Sequence, residues 1–250
     1  MAEVMDFVSG EVFGIDKPLG WTSFDAVKRL RGAIARRTGM RKFKVGHAGT
    51  LDPLATGVLI VCTGRATKQI PLLQEGMKEY VAELTLGATT PSYDLETEID
   101  ARYPWEHITR ELVEQTLPGF TGRVMQVPPV FSAVKVDGKR AYKFARKGQE
   151  VELKAKPLEI TELEVVSFAP PKLTVRVVCS KGTYIRALAR DIGAALGSGA
   201  HLTALRRTRV GEMTADKCIS IETAMDRIAN CELKFPDGHP LGTPTGNEKQ

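Results

Sequence analysis

Asp52 is the residue whose setting most invites a chemical reading. It stands in GHAGTLDPLATG, Gly46 to Gly57, and between Asp25 and Asp52 the chain carries eight Lys or Arg residues and no acidic one. Pro53 pushes Asp52 out of the helical region into extended backbone, and Asp-Pro readily initiates a turn. The plainest role for this carboxylate is therefore an Asx turn, bonded to nearby amides. Its neighbours argue for more. Gly46, Gly49 and Gly57 allow close approach of another backbone or a ligand, His47 and Thr50 add polar groups, and the loop runs into the apolar stretch GVLIVCTG (57–64), a buried strand that would hold it rigidly.

One carboxylate limits the chemistry. Glycoside hydrolysis uses two flanking carboxyl groups, and Asp25, Asp94 and Glu96 are all distant in sequence. His47 and Asp52 lack further ligands at metal-binding spacing, so no metal site is expected. What remains is a carboxylate acting as nucleophile or base and kept ionised by a cation. Arg186 in KGTYIRALARD is the candidate cation, placed after a Gly turn at the start of a predicted helix, with Tyr184 two residues earlier. Its plainer alternative is a surface salt bridge with Asp191.

The elements that would position these groups follow from periodicity. WTSFDAVKRLRGAIARR reads as a helix capped by Thr22 or Ser23, with Phe24, Val27, Leu30 and Ile34 at helical spacing and cations on the other face. EVFGIDKPLG begins as a strand, EYVAELTLG (79–87) alternates as a strand, and HITRELVEQTLPGF is helical up to Pro118. KVDGK is a strand-turn signal within a basic segment, 127–153; SKGTYIRALARDIGAALG is a turn and a helix closed by Gly197, and HLTALRRTRVG a basic strand. Strands and helices alternate without a βαβ rhythm, which predicts an α+β fold on a mixed, mainly antiparallel sheet flanked by helices.

Composition sets the outer bounds. The 250 residues include 42% hydrophobic and 26% charged side chains, ordinary for a globular protein with a full core, and the net charge of +5 permits a nucleic-acid partner without requiring one. Cys62, Cys179, Cys218 and Cys231 are far apart and form no CxxC pair, which suits free thiols in a reducing compartment. The start, MAEVMDFVSG, has no basic and apolar signal regions, and no apolar run reaches membrane-spanning length, so a cytoplasmic protein with no membrane contact is expected.

At this point the motifs carry a resemblance. GHAGTLDPLATG is similar to the signature of the TruB family, the tRNA pseudouridine synthases that modify the uridine of the TΨC arm. DKPLGWTS (16–23), KEYVAELTLG (78–87), VPPVFSAVKVDGKRAYKFARKG (127–148), CSKGTYIRALARDIG (179–193) and HLTALRRTRVG (201–211) match in order. The resemblance implies a pseudouridine synthase catalytic domain over 11–225, and the segment near 127–153 resembles a mobile loop that closes over RNA. It implies that Asp52 is the catalytic aspartate, that Tyr80 stacks on the base and takes part in late proton removal, and that Arg186 pairs with the aspartate. His47 would accompany the flipped base, and Tyr184 and Leu205 would line the nucleotide pocket. Residues 226–250 would then be a short C-terminal extension, with no room in them for the PUA domain of longer family members.

A tRNA partner makes sense of the cations at Lys28–Lys44, Lys139–Lys147 and Arg206–Arg209, read as a phosphate-tracking surface and otherwise as solvated faces. The reaction is an isomerisation that needs no cofactor. No protein partner is implied, and a monomer is the default. The competing reading is a non-catalytic RNA-binding or RNA-folding module in which Asp52 is structural; a glycosidic-bond hydrolase would need a second carboxylate beside Asp52.

Overall fold

A computed structural model of the chain describes residues 3–40, 42–132, 134–136, 138–141, 144, 149, 151–237 and 239. Its first elements are β1 (Val4–Met5), β2 (Val12–Lys17), α1 (Ser23–Thr38), β3 (Val45–His47), β4 (Ala55–Thr63) and α2 (Ile70–Leu73). Next come β5 (Lys78–Leu86), β6 (Ala88–Thr89), β7 (Ala101–Arg102), α3 (Arg110–Thr116), β8 (Gly122–Gln126), β9 (Lys135–Val136) and β10 (Lys139–Arg140). The chain continues with β11 (Lys156–Ala169), β12 (Lys172–Cys179), α4 (Ile185–Ala195), β13 (Ala200–Val210), β14 (Met213–Thr214), α5 (Ile221–Asn230) and β15 (Glu232–Leu233). The architecture is α+β, with strand pairing mainly antiparallel. Two compact units divide the chain, one of Met1–Gly76 with Arg209–Gln250 and one of Met77–Thr208.

In the first unit, β4 is apolar along nearly its whole length and buried accordingly, as a strand flanked on both edges must be. β2 pairs with it antiparallel from Val12↔Cys62 to Lys17↔Gly57, and β3 pairs antiparallel at its end, Val45↔Thr63 to His47↔Val61. Thr22 caps α1 in a capping box with Asp25, and Gly39 closes it in a left-handed conformation. The apolar stripe Ala26, Val27, Leu30, Ala33 and Ile34 packs with Phe13, Ile15, Leu59 and Val61 and with Ile221, Ala224 and Ile228 of α5. Sequence periodicity did not single out α5. Ser220 caps it by accepting from Thr223 N at 3.1 Å, and the helix runs across 225/226, where the expected extension begins. β15 then pairs parallel with β1.

In the second unit the strand order is β13-β5-β12-β11-β8. Buried and half-buried positions alternate strictly along β5, as its sequence alternation requires. β12 pairs antiparallel with β5 from Lys172↔Thr85 to Cys179↔Lys78, and β11 bridges β12 and β8, antiparallel to both. α4 packs against β5. β9 and β10 form a hairpin about Gly138, at the KVDGK signal. Residues 133, 137, 142, 143, 145–148 and 150 of the basic segment lie outside the described residues, as do most of the Pro/Gly-rich residues after Phe235.

Candidate active site

Asp52 and His47 stand in the first unit; Tyr80, Tyr184, Arg186 and Leu205 stand in the second. The loop bearing Asp52 is fixed at several points. β4 begins at Ala55, whose N–H donates to the Asp52 carbonyl at 3.1 Å, so the main chain itself closes the Asp-Pro turn. Ser23, at the start of α1, clasps Leu51 twice, its Oγ accepting from Leu51 N at 2.8 Å and donating to Leu51 O at 3.1 Å. Gly20 N donates to Pro53 O at 2.8 Å. The fully buried Lys17 donates its ammonium to Pro18 O at 2.9 Å and Trp21 O at 2.6 Å, which folds the DKPLGW segment around it. Residues on both sides of Asp52 are thus tied to the same helix start. The neighbouring glycines are needed for shape: Gly49 and Gly57 adopt φ of +99° and +100°, where a side chain is strained. A side chain at Gly46 would press on Ile70 Cδ1. His47 ends β3, half-buried, opposite Val61.

In the second unit Arg186 lies in the first turn of α4 and is 5% exposed. Its Nη1 donates to Ser92 O at 3.2 Å, its Nη2 to Phe131 O at 3.0 Å, and its Nε lies 3.6 Å from Asp94 Oδ2. The surface pair with Asp191 does not form. Arg190 takes Asp191 instead, at 2.7 Å, because Arg186 points inward while Arg190 stays near solvent. Asp94 is almost as buried as Arg186 and accepts from Ser92 Oγ at 2.6 Å and Glu96 N at 2.9 Å through its other oxygen. An ionised pair at this depth survives only with such added hydrogen bonds. Between them Tyr93 holds a left-handed φ of +61°, rare for a tyrosine, with its ring 4.9 Å from the Arg190 guanidinium carbon.

Tyr184 is the N-cap of α4, and Gln126 at the end of β8 grips both its main-chain groups, at 2.9 and 3.1 Å. Tyr80 lies in β5 opposite Val177, 8% exposed, and Leu205 is half-buried on β13. Arg207, counted among the phosphate-facing cations of 206–209, is 1% exposed: the pleat turns it inward, so it is not part of a basic surface. Lys139–Lys147 offer no described side chain except those of Ala141 and Phe144. Burial pushes the Cys62 and Cys179 thiols up to about 11, so both stay protonated near neutrality. Asp94 as the carboxylate beside Arg186, Ser23 as the clasp on Leu51 and Gln126 as the clamp on Tyr184 are additions that sequence reasoning did not supply.

Family models settle what these motifs belong to. The N-terminal domain model of the TruB family pseudouridylate synthases matches residues 36–185, and the C-terminal domain model of tRNA pseudouridylate synthase B matches 186–235. The chain belongs to the TruB family. The tRNA pseudouridine synthase B of Parabacteroides distasonis is 64% identical over 233 residues, 93% of this chain and 99% of that protein. The TruB relative from Phocaeicola vulgatus is 65% identical over 230 residues, 92% of this chain and 98% of that one. Among solved structures, the chain is similar to one in a Cbf5-Nop10-Gar1 complex, with a TM-score of 0.65 and 30% identity, over 89% of this chain and 55% of that one. An archaeal box H/ACA sRNP Nop10-Cbf5 complex gives a TM-score of 0.62 at 26% identity, over 89% and 59% of the two chains. TruB membership and an α+β fold with mainly antiparallel pairing are as the motifs led one to expect. Among the described residues, no helix is long and apolar enough to cross a membrane.

Proposed function

We propose that this TruB-family chain converts one uridine in the TΨC arm of tRNA, conventional position 55, to pseudouridine, with Asp52 as the nucleophile. The reading is carried by one observation: in a TruB chain, the residues flanking Asp52 are pinned to the start of α1 through Ser23 and Gly20 and to β4 through Ala55. A nucleophile gains from such fixing, because pre-orientation removes entropy from the reactive step.

A uridine in a structured loop hides C5 and its glycosidic bond by stacking, so it must be flipped out. Tyr80 supplies an aromatic surface for the flipped base, worth about 1–3 kcal/mol. Asp52 attacks at uracil C6 or at ribose C1′; both routes break N1–C1′, form C5–C1′, and move the C5 proton off carbon as N1 gains one. The balance is an isomerisation without a cofactor. Arg186 is the partner that the TruB resemblance assigns to the aspartate, and Asp94, Ser92 and Phe131 contact its guanidinium. Tyr184 and Leu205 line the nucleotide pocket, and His47 accompanies the flipped base. The enzyme works on tRNA in the cytoplasm as a monomer.

The test is to incubate the protein with an unmodified tRNA transcript and map pseudouridine along it. One new pseudouridine in the TΨC loop is expected. A transcript left unchanged by protein that binds it would favour the RNA-binding module instead.

A further inference from the structure

The outer face of α1 forms an open groove of about 760 Å³ within the first unit, and the residues that shape it are Trp21, Lys28, Arg29, Arg31, Gly32 and Arg36. Its charge is strongly one-sided. The single carboxylate in its lining, Asp25, is engaged in the capping box, its Oδ2 accepting from Thr22 N at 2.9 Å and Thr22 Oγ1 at 2.6 Å. Lys28, Arg29, Arg31 and Arg36 form no ion pair among the described residues, although Lys28 acts on Asp25 and Arg29 on Glu222 at the start of α5. Other cations are committed: Arg176 to Glu79, Glu162 and Glu164, Lys172 to Glu83, and Arg227 to Glu3. A stripe of unpaired guanidinium and ammonium groups along one helix face attracts a polyanion.

Gly32 adds an independent observation. A Cβ built there would meet only Arg36 Nη1, at 3.6 Å, an ordinary contact. Alanine would therefore fit, and would favour the helix by about 1 kcal/mol. The protein's own packing gives no reason for this glycine, whereas a ligand backbone lying against the helix does. Aromatic surface accompanies the charge. Phe24 is 59% exposed with the Arg31 guanidinium 5.8 Å from its ring centre, and Trp21 is half-buried at the groove's near end. Cations interleaved with exposed rings suit nucleic acid, whose phosphates and bases use both, better than an acidic protein. The near end is also anchored where the chemistry is proposed, since Gly20 donates to the carbonyl of Pro53, next to Asp52. From there α1 carries the cations from Lys28 to Arg36 over about 12 Å of its length.

We propose that this groove is a phosphate-binding track for the tRNA, leading away from the Asp52 loop, with Lys28, Arg31 and Arg36 on successive phosphates. It rests on the tRNA reading above and adds a specific contact surface to it.

The test is the salt dependence of tRNA affinity for Lys28→Gln/Arg31→Gln/Arg36→Gln against the unsubstituted protein. Three lost contacts should flatten the slope of log K on log salt by about 2–3, at 0.7–0.9 per phosphate, and raise Kd at low salt by about tenfold or more. The charge-keeping Lys28→Arg/Arg31→Lys/Arg36→Lys should retain the slope. Gly32→Ala and Gly32→Glu, which remove no cation, should also weaken binding, the larger side chain more; wild-type binding by both would overturn the close approach, and this pair keeps the question open to test if the triple variant fails to fold. A folded triple variant with unchanged slope and Kd would overturn the proposal, as would equal loss in the charge-keeping variant. Binding is read without conversion, so a protein that makes no pseudouridine would count against the activity and not against the groove.

Discussion

Arg186 Nε and Asp94 Oδ2 face each other at 3.6 Å, both side chains nearly sealed from water, across 92 residues of sequence. Removing one partner of such a pair strands the other, which typically destabilises by about 3–5 kcal/mol. Asp94→Asn keeps the shape and one acceptor oxygen, exchanges the other for an N–H donor and removes the charge, so a loss nearer 2 kcal/mol is expected. Denaturant midpoints measure it. Because Arg186 would also lose its fixed rotamer, turnover on tRNA should fall by about tenfold or more, with smaller change in tRNA affinity. Normal stability and turnover would show that Arg186 is held without its pair to Asp94.

Ser23 tests whether clasping Leu51 matters to the Asp52 loop. Ser23→Ala leaves the buried Leu51 N–H without its described partner, an expected loss of about 1–3 kcal/mol. As a positioning residue it should lower kcat more than it raises KM, and Ser23→Thr, which keeps the hydroxyl, should rescue. Equal behaviour of the Ala and Thr variants would make the contact merely structural.

Much of the fold was legible because local pattern and tertiary need agree. The stripe at Val27, Leu30 and Ile34 with Thr22 before it specifies α1, and alternation in EYVAELTLG specifies β5. α5 escaped notice: its ten residues carry Ile221, Ala224 and Ile228 at helical spacing, but no glycine or proline marks its ends. β1 and β15, two residues each, exist only because they pair with one another. At the candidate site, Asp52, Tyr80 and Arg186 were singled out by motif. The partners of Arg186 could not be, since a contact to Asp94 is made by the fold and the nearby Asp191 was the obvious local choice. Strand parity alone could have warned that one of Arg206 and Arg207 must face inward.

Tyr80 separates stacking from proton transfer. Tyr80→Phe keeps the ring and should bind tRNA normally, yet lose turnover by about 10²-fold if the hydroxyl takes the C5 proton. Tyr80→Leu should lose affinity as well. Single-turnover tritium release from 5-tritiated uridine, beside a binding titration, measures both. Wild-type release by the Phe variant would leave the hydroxyl no catalytic part.

The thiols give a pH prediction. Cys62 and Cys179 have folded values pushed up to about 11 by burial, above the unfolded thiol. Their contribution to stability is fully present below about pH 8.5, where an unfolded thiol begins to ionise, and is lost as pH rises toward 11. Both should resist alkylation in the native protein at pH 8 and react on unfolding, read by mass spectrometry of labelled peptides. Rapid native labelling of either would contradict its burial.

The most direct measurement concerns Asp52 itself. Asp52→Asn leaves the main-chain turn to Ala55 and the Ser23 clasp on Leu51 in place, and exchanges the charged carboxylate for a neutral amide of the same shape. Pseudouridine formation in an unmodified tRNA transcript should be undetectable with this variant, while its unfolding midpoint and tRNA affinity stay at the wild-type level. Conversion at a near-normal rate by folded Asp52→Asn would contradict a nucleophilic role for this carboxylate.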